Sequence, residues 1–341
     1  MTQTIATLGE FLQAGQADYQ IYDLGRRLTC IDNQQFDAIE RQQQPYPFPI
    51  RHQAQLAVIF HHRQQPSNDF LWFLQFPLDE RGLLSTAARD HYLEFVLGAL
   101  GHELTGELSE QQQQQLQQNP YLFTPNETQR AALHARIRVQ YRQHPSQYFD
   151  QAVTYLQHQQ TDWQQLGLQG IHDCAARLNN LPELAAAVAQ GFEHYPGQLR
   201  QPLAVALEQQ TVPARLRDQL LILLDSGVAE LRRDALRALA SHADNGRLQR
   251  WLKQQLTEQT LDADCATIIA ARLWPALQDQ EMIVLYLDLI SQLPEPLFDA
   301  LFGDIIALPT IRPLLLSLIA QGQLSNNSLA ALNRLRGQIT G

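Results

Sequence analysis

Lysine is nearly missing from this sequence: of its 25 basic residues, all but Lys253 are arginine. Such a skew could reflect arginine-specific, bidentate contacts, but a compositional bias of the genome explains it more simply. Charge of either sign is scarce, at 18% of residues, and sums to −10 at pH 7. An acidic chain is repelled by polyanions unless it gathers positive charge on one face, so neither nucleic acid nor an anionic membrane is an expected partner. Cysteine is limited to Cys30, Cys174 and Cys265. They are odd in number and far apart, with no Cys-x-x-Cys and no pair at metal-ligand spacing, which excludes a zinc ribbon and a disulfide framework. Each lies in an apolar neighbourhood, as free thiols of a reducing compartment do. Apolar runs of about 18 residues, the length that spans a bilayer, are missing. Residues 1–5 carry neither the basic nor the apolar region of a signal peptide. The expectation is a soluble, cytoplasmic protein. Phosphate-cradling glycine motifs and the Gly-x-Ser-x-Gly elbow are missing too, so no catalytic residue, cofactor or metal is expected.

What the chain does have is hydrophobic content, at 45% of its 341 residues, and glutamine, with 48. That is enough to bury a core and enough length for two domains. The first 101 residues mix periodicities. Ile5 to Ala14 reads as a short helix stopped by Gly15, and Tyr19 to Tyr22 as a strand. Asp23-Leu24-Gly25 reads as a turn, Arg27 to Ile31 as a second strand, and Asp32 or Asn33 as the cap of a helix running to about Gln43. Pro45, Pro47 and Pro49 hold an extended segment. Gln55 to His61 and Phe70 to Phe76 are stronger strands, apolar on both faces and therefore expected to be covered on both. A helix follows from Ser85 to about Gly98. The region 1–101 is a small α+β domain. Residues 102–125, with the glutamine run after Glu110, read as a polar linker with a short helix capped by Ser109.

From Asn126 to the end the period is helical almost throughout. Asn126 and Gln129 have the spacing of a capping box. The spacing i, i+3, i+4, i+7 recurs in Phe149-Ala152-Val153-Leu156 and in Phe298-Leu301-Phe302-Ile305, and similar stripes fill the interval. Pro and Gly breakers recur at roughly 13 to 17 residues in places. The count is about twelve helices after residue 145, or six pairs of about 32 residues, the unit length of HEAT-like α-solenoids. The fold expected is therefore mainly α: the small α+β domain, then a HEAT-like α-solenoid over 126–341.

Few residues suggest chemistry. His61 and His62 are adjacent on a strand, so they point to opposite faces and cannot chelate one ion together. His172, Asp173 and Cys174 share a helical turn but fan around it. Asp79-Glu80-Arg81 reads as a turn with a helix-initiating carboxylate. In Asp23-Leu24-Gly25-Arg26-Arg27, Arg26 and Arg27 beside a glycine turn could receive a phosphate or a carboxylate; equally, they could balance Asp23 and Asp32. Residues 228–253 carry Arg232, Arg233, Arg237, Arg247, Arg250 and Lys253 against three carboxylates. Residues 273–311 carry Asp279, Glu281, Asp288, Glu295, Asp299 and Asp304 with no Lys or Arg before Ile311. On a solenoid these would be neighbouring patches of opposite sign, which suit a protein partner.

The run Tyr19-Gln20-Ile21-Tyr22-Asp23-Leu24-Gly25-Arg26-Arg27, continuing through Ile31-Asp32-Asn33 to Gln44-Pro45-Tyr46-Pro47-Phe48-Pro49, resembles the opening of an uncharacterised bacterial protein family. The resemblance implies coverage of the whole chain and carries no functional residue with it. The C-terminal part resembles HEAT-type repeats, which implies a shape and no chemistry. The leading expectation is a non-enzymatic scaffold or adaptor that binds a protein through the helical repeats, with Arg26, Arg27, Arg232, Arg233, Arg237, Trp251, Asp288 and Asp299 as candidate contacts. The alternative is a HEAT-like nucleic-acid-binding protein or enzyme, of the kind seen in alkylpurine DNA glycosylases, using Arg232, Arg233, Arg237 and Trp251 around Asp234. A third is ligand sensing by the N-terminal domain.

Overall fold

The computed structural model describes residues 5–64, 69–100, 118–159 and 162–340. The chain divides into two compact units, Met1–Pro125 with Ile306–Arg312, and Asn126–Ile305 with Pro313–Gly341.

In the first unit, helix α1 (Leu8–Ala14) starts three residues later than its apolar pattern suggests. Thr7 is extended and its hydroxyl accepts from the Glu10 N–H, which fixes the cap there. Strands β1 (Ala17–Asp23) and β2 (Thr29–Ile31) pair antiparallel. The second is shorter than Arg27–Ile31 because Arg26 to Leu28 still belong to the turn. Asp32 caps α2 (Asn33–Glu40). Strands β3 (Gln53–His62) and β4 (Phe70–Pro77) are antiparallel, and the sheet order is β2-β1-β3-β4. Ile31, Ile21, Val58 and Trp72 stand in one row across it. On that face Leu56, Phe60, Leu74 and Phe76 meet α1, α2 and α3 (Thr86–Leu100) through Leu12, Phe36, Ile39 and Tyr92. The opposite face is buried on β3 at Ala57 and Ile59 but only half-buried on β4 at Leu71 and Phe73. Coverage of both faces therefore holds for the central strand and fades toward the edge. Residues 121–123 then line that edge: the Gln75 N–H donates to the Tyr121 carbonyl and the Phe123 N–H to the Phe73 carbonyl. The glutamine run and the helix expected after Ser109 lie outside the described residues.

The second unit opens with α4 (Glu127–Gln140), closed by the expected capping box: the Gln129 N–H donates to Asn126 Oδ1, and the Asn126 N–H to Gln129 Oε1, both at 2.9 Å. Twelve α-helices follow among the described residues. They are α5 (Phe149–His158), α6 (Leu168–Arg177), α7 (Pro182–Gly191), α8 (Gly197–Leu207), α9 (Ala214–Leu223) and α10 (Ala229–Ala238). Then come α11 (Gly246–Glu258), α12 (Ala263–Arg272), α13 (Gln280–Ile290), α14 (Glu295–Ile306), α15 (Arg312–Ala320) and α16 (Asn326–Thr340). The helices pack on their second neighbours in sequence: α4, α6, α8, α10 and α12 form one layer, and α5, α7 and α9 form another. The apolar stripes supply the interface, with Leu216, Leu220, Leu231, Ala235, Leu248, Leu252, Tyr286 and Ile290 all buried. The protein is thus mainly helical, with a small N-terminal antiparallel sheet followed by a helical region. No helix among the described residues is long and apolar enough to cross a membrane.

Candidate functional site

The layer formed by α4, α6, α8, α10 and α12 carries a groove of about 730 Å³ lined by α8, α10 and α12. Its ionic lining is balanced, with Arg200, Arg233 and Arg237 against Glu230, Asp234 and Asp264. Successive helices of the layer start 32 and 34 residues apart, at Gly197, Ala229 and Ala263. Arg200, Arg233 and Thr267, each within the first turn or so of its helix, therefore recur along the layer, and the groove is a product of that recurrence.

Every arginine of the lining is held by a carboxylate from another helix. Arg200 Nε donates to Asp234 Oδ2 at 2.7 Å, linking α8 to α10, and its Nη1 donates to the Tyr195 carbonyl. Arg233 bonds Asp264 on α12 and lies 3.5 Å from Glu230 on its own helix. Arg237 donates to Glu208, the residue that caps the C-terminal end of α8. Glu208 is buried and also accepts from Arg272 Nε at 3.0 Å, so one carboxylate joins α8, α10 and α12. Burial pushes the Asp234 carboxyl up from its ordinary range, opposed by its bond to Arg200 and by the charges of Arg233 and Arg237.

The candidate contacts separate on this map. Arg233 and Arg237 line the groove together with Asp234. Arg232 turns away and donates to the Ser226 carbonyl; Trp251 donates from Nε1 to Asp225 Oδ1 at 2.8 Å. Neither lines the groove. Arg247 lies 3.8 Å from Asp218 and Lys253 donates to Glu281 at 2.6 Å. The basic surplus counted along residues 228–253 is therefore largely met by carboxylates brought in from other helices. In the acidic stretch, Asp288 accepts from the Ser325 and Ser328 hydroxyls and ties α13 to α16. Asp299 and Glu295 both face Arg334. Arg200, Glu208 and Asp264 are the members that reading the charge runs missed. A register of one helix pair, laid over the charged positions, would have found Arg200 and Asp264 opposite Arg233.

The other sequence candidates have structural partners. Arg26 is buried with its Nε donating to the Pro49 carbonyl, 2.9 Å away. Asp23 beside it accepts from the Tyr46 hydroxyl and from the Gly25 and Arg26 N–H groups. Burial pushes the Asp23 carboxyl up to about 7 against those bonds. A Cβ on Gly25 would come within 2.8 Å of Ile50, so this turn is closed over its own chain. Arg27 is partly exposed on the same turn. His61 lies 3.3 Å from Asp69. On α6, Asp173 accepts from the Ser146 N–H and from Arg177, and burial raises the Cys174 thiol far above its usual range, which disfavours the thiolate. Among the described residues no group of three or more His, Cys, Asp or Glu is placed to hold a metal ion.

A family model described as "Protein of unknown function (DUF3549)" matches residues 3–336. No curated protein and no solved structure matches the chain.

Proposed function

From the premise that this chain belongs to the DUF3549 family, whose function is unknown, we propose that it is a non-enzymatic scaffold or adaptor that binds a protein partner along its helical region. The observation that carries the reading is the groove of α8, α10 and α12, open to solvent and balanced in charge, three arginines against three carboxylates. A balanced, hydrogen-bonding surface of this size suits a polypeptide, whose backbone supplies both donors and acceptors. The packing of second neighbours, with helix starts 32 to 34 residues apart, favours a HEAT-like solenoid as the framework. A cytoplasmic setting agrees with the buried free thiols of Cys174 and Cys265.

A second reading, a nucleic-acid-binding protein or enzyme, draws on Arg200, Arg233 and Arg237 gathered around a carboxyl whose proton affinity is raised. It is the weaker one, because a phosphate would have to displace Asp234, Asp264 or Glu208 from those arginines, and the net charge of −10 opposes its approach.

Lys253 is the only lysine, so amine crosslinkers have little purchase on this surface. A photo-crosslinking residue at Gln201 or Thr267, on the groove wall, is the better probe in the native cell. The expected result is one dominant protein adduct from those positions and none from an equivalent probe on α15. Salt-sensitive DNA binding by the purified chain, lost on Arg232→Ala with Arg233→Ala, would instead favour the second reading.

A further inference from the structure

We infer that the groove of α8, α10 and α12 takes an extended peptide segment bearing a lysine or arginine, whose cation is received between Glu230 and Asp264. This rests on the protein-binding reading above and specifies the chemistry of the partner.

Four features of the groove carry the inference. The first is how its charges are layered. The Glu230 and Asp264 side chains are 66% and 65% exposed, whereas Arg233 is 27% and Arg200 only 10% exposed. The arginines lie inward and are committed to carboxylates; the carboxylates at the rim face outward. An approaching chain meets negative charge first, although the lining sums to zero.

The second is Arg233 itself. It reaches both rim carboxylates at once, which shows that a guanidinium fits the interval between α10 and α12. A carboxylate offers about four acceptor sites, and both of these remain mostly exposed, so a second cation can be received beside Arg233. An anionic ligand has no such opening, because Arg200 and Asp234 are closed on each other with side chains only 10% and 13% exposed.

Third, Pro202 sits inside α8. It has no N–H, so the Gln198 carbonyl, one turn earlier on the groove wall, receives no i+4 hydrogen bond from it. Gln198, Gln201 and Thr267 add exposed neutral donors and acceptors along the same wall. These suit the N–H and C=O groups of an extended backbone.

The last is size. Adjacent packed helices lie about 8–10 Å apart and an extended chain advances about 3.3 Å per residue. Three helices are thus crossed by about six residues, with room for one cationic side chain in a space of about 730 Å³.

The test uses the purified full-length chain and fluorescently labelled nonapeptides of basic, neutral and acidic composition, read by anisotropy. Basic peptides should bind best and weaken as salt is raised, since the rim charges are exposed. Glu230→Gln with Asp264→Asn should weaken them about tenfold. Arg233→Gln should tighten them several-fold, because it removes the chain's own cation from between the two carboxylates. Circular dichroism confirms that each variant is folded. A preference for acidic peptides, or weaker binding of basic ones by Arg233→Gln, overturns the inference. So does failure of every composition to bind. If the photo-crosslinked partner is still captured in that case, the adaptor reading stands and only the basic occupant falls; if it is lost as well, both fall.

Discussion

At the scale of single residues, the most strongly shifted buried groups, His172 in the helical unit and Asp23 and Glu40 in the N-terminal one, respond to acid in opposite senses. His172 is fully buried on α6 and neither ring nitrogen has a hydrogen-bond partner. Burial lowers it from 6.5 to about 4, and burial with the charges of Arg138 and Arg130 also lowers His134 on α4. A histidine depressed in the folded state is neutral there while the unfolded chain takes up its proton. Its contribution is therefore present above pH 6.5 and lost as pH falls toward 4, by up to about 3 kcal/mol for His172. Asp23 and Glu40 run the other way: burial raises both to about 7, so what they contribute is present near pH 4 and lost as pH rises through 7. Urea titrations at pH 7 and pH 5, with Trp72 reporting the N-terminal unit and Trp274 the helical unit, should show the second unit weakened by acid and the first not. His172→Leu should flatten the helical unit's response. An unchanged pH dependence in that variant would remove His172 as its source.

At the scale of elements, the sequence marks helix ends well where a side chain forms the cap. Asp32, Asn126, Asn245, Asp262 and Asp279 each accept backbone N–H groups at a helix start. It marks them less well where the determinant lies in another element. Glu40, at the end of α2, accepts from the Leu8 and Gly9 N–H groups and so caps α1 from a distance of about thirty residues, which no local pattern reveals. Gly170 is a second such case. It lies inside α6, where glycine is a weak helix former, because the chain at Tyr148 crosses over it: a Cβ there would stand 2.4 Å from the Tyr148 carbonyl oxygen. Gly170→Ala should therefore destabilise the helical unit by about 1–3 kcal/mol despite alanine's higher helix propensity. A denaturation midpoint equal to or above the parent's would show that the crossing relaxes freely.

At the scale of the molecule, the ion pairs matter more for alignment than for charge. Glu208 is buried and holds Arg237 and Arg272, so the ends of three helices converge on one carboxylate. Removing one member of such a network leaves the others desolvated without a partner. Glu208→Ala should cost about 3 kcal/mol in urea denaturation. It should also loosen the groove, so that basic-peptide affinity falls even though Glu208 does not line it. A loss of stability below about 1 kcal/mol would place this pair with ordinary surface bridges.

The helices, their number and most of their ends were legible in the chain because each rests on interactions spanning a few residues: the spacing of Leu216, Leu220 and Leu224, the Asn126–Gln129 box, the breakers between stripes. So were strands β3 and β4, from two apolar runs. Which charges are available was not legible. Arg232, Arg233 and Arg237 are neighbours in sequence, yet Arg232 is spent on a carbonyl of the preceding turn, and the other two find Asp264 and Glu208, about thirty residues away in either direction. A count along the chain gives a basic patch; packing second-neighbour helices together turns it into a groove with neutral walls and an acidic rim. Coulomb interaction falls with distance in space and is indifferent to distance in sequence, so only the tertiary structure could decide which charges are paired and which stay exposed.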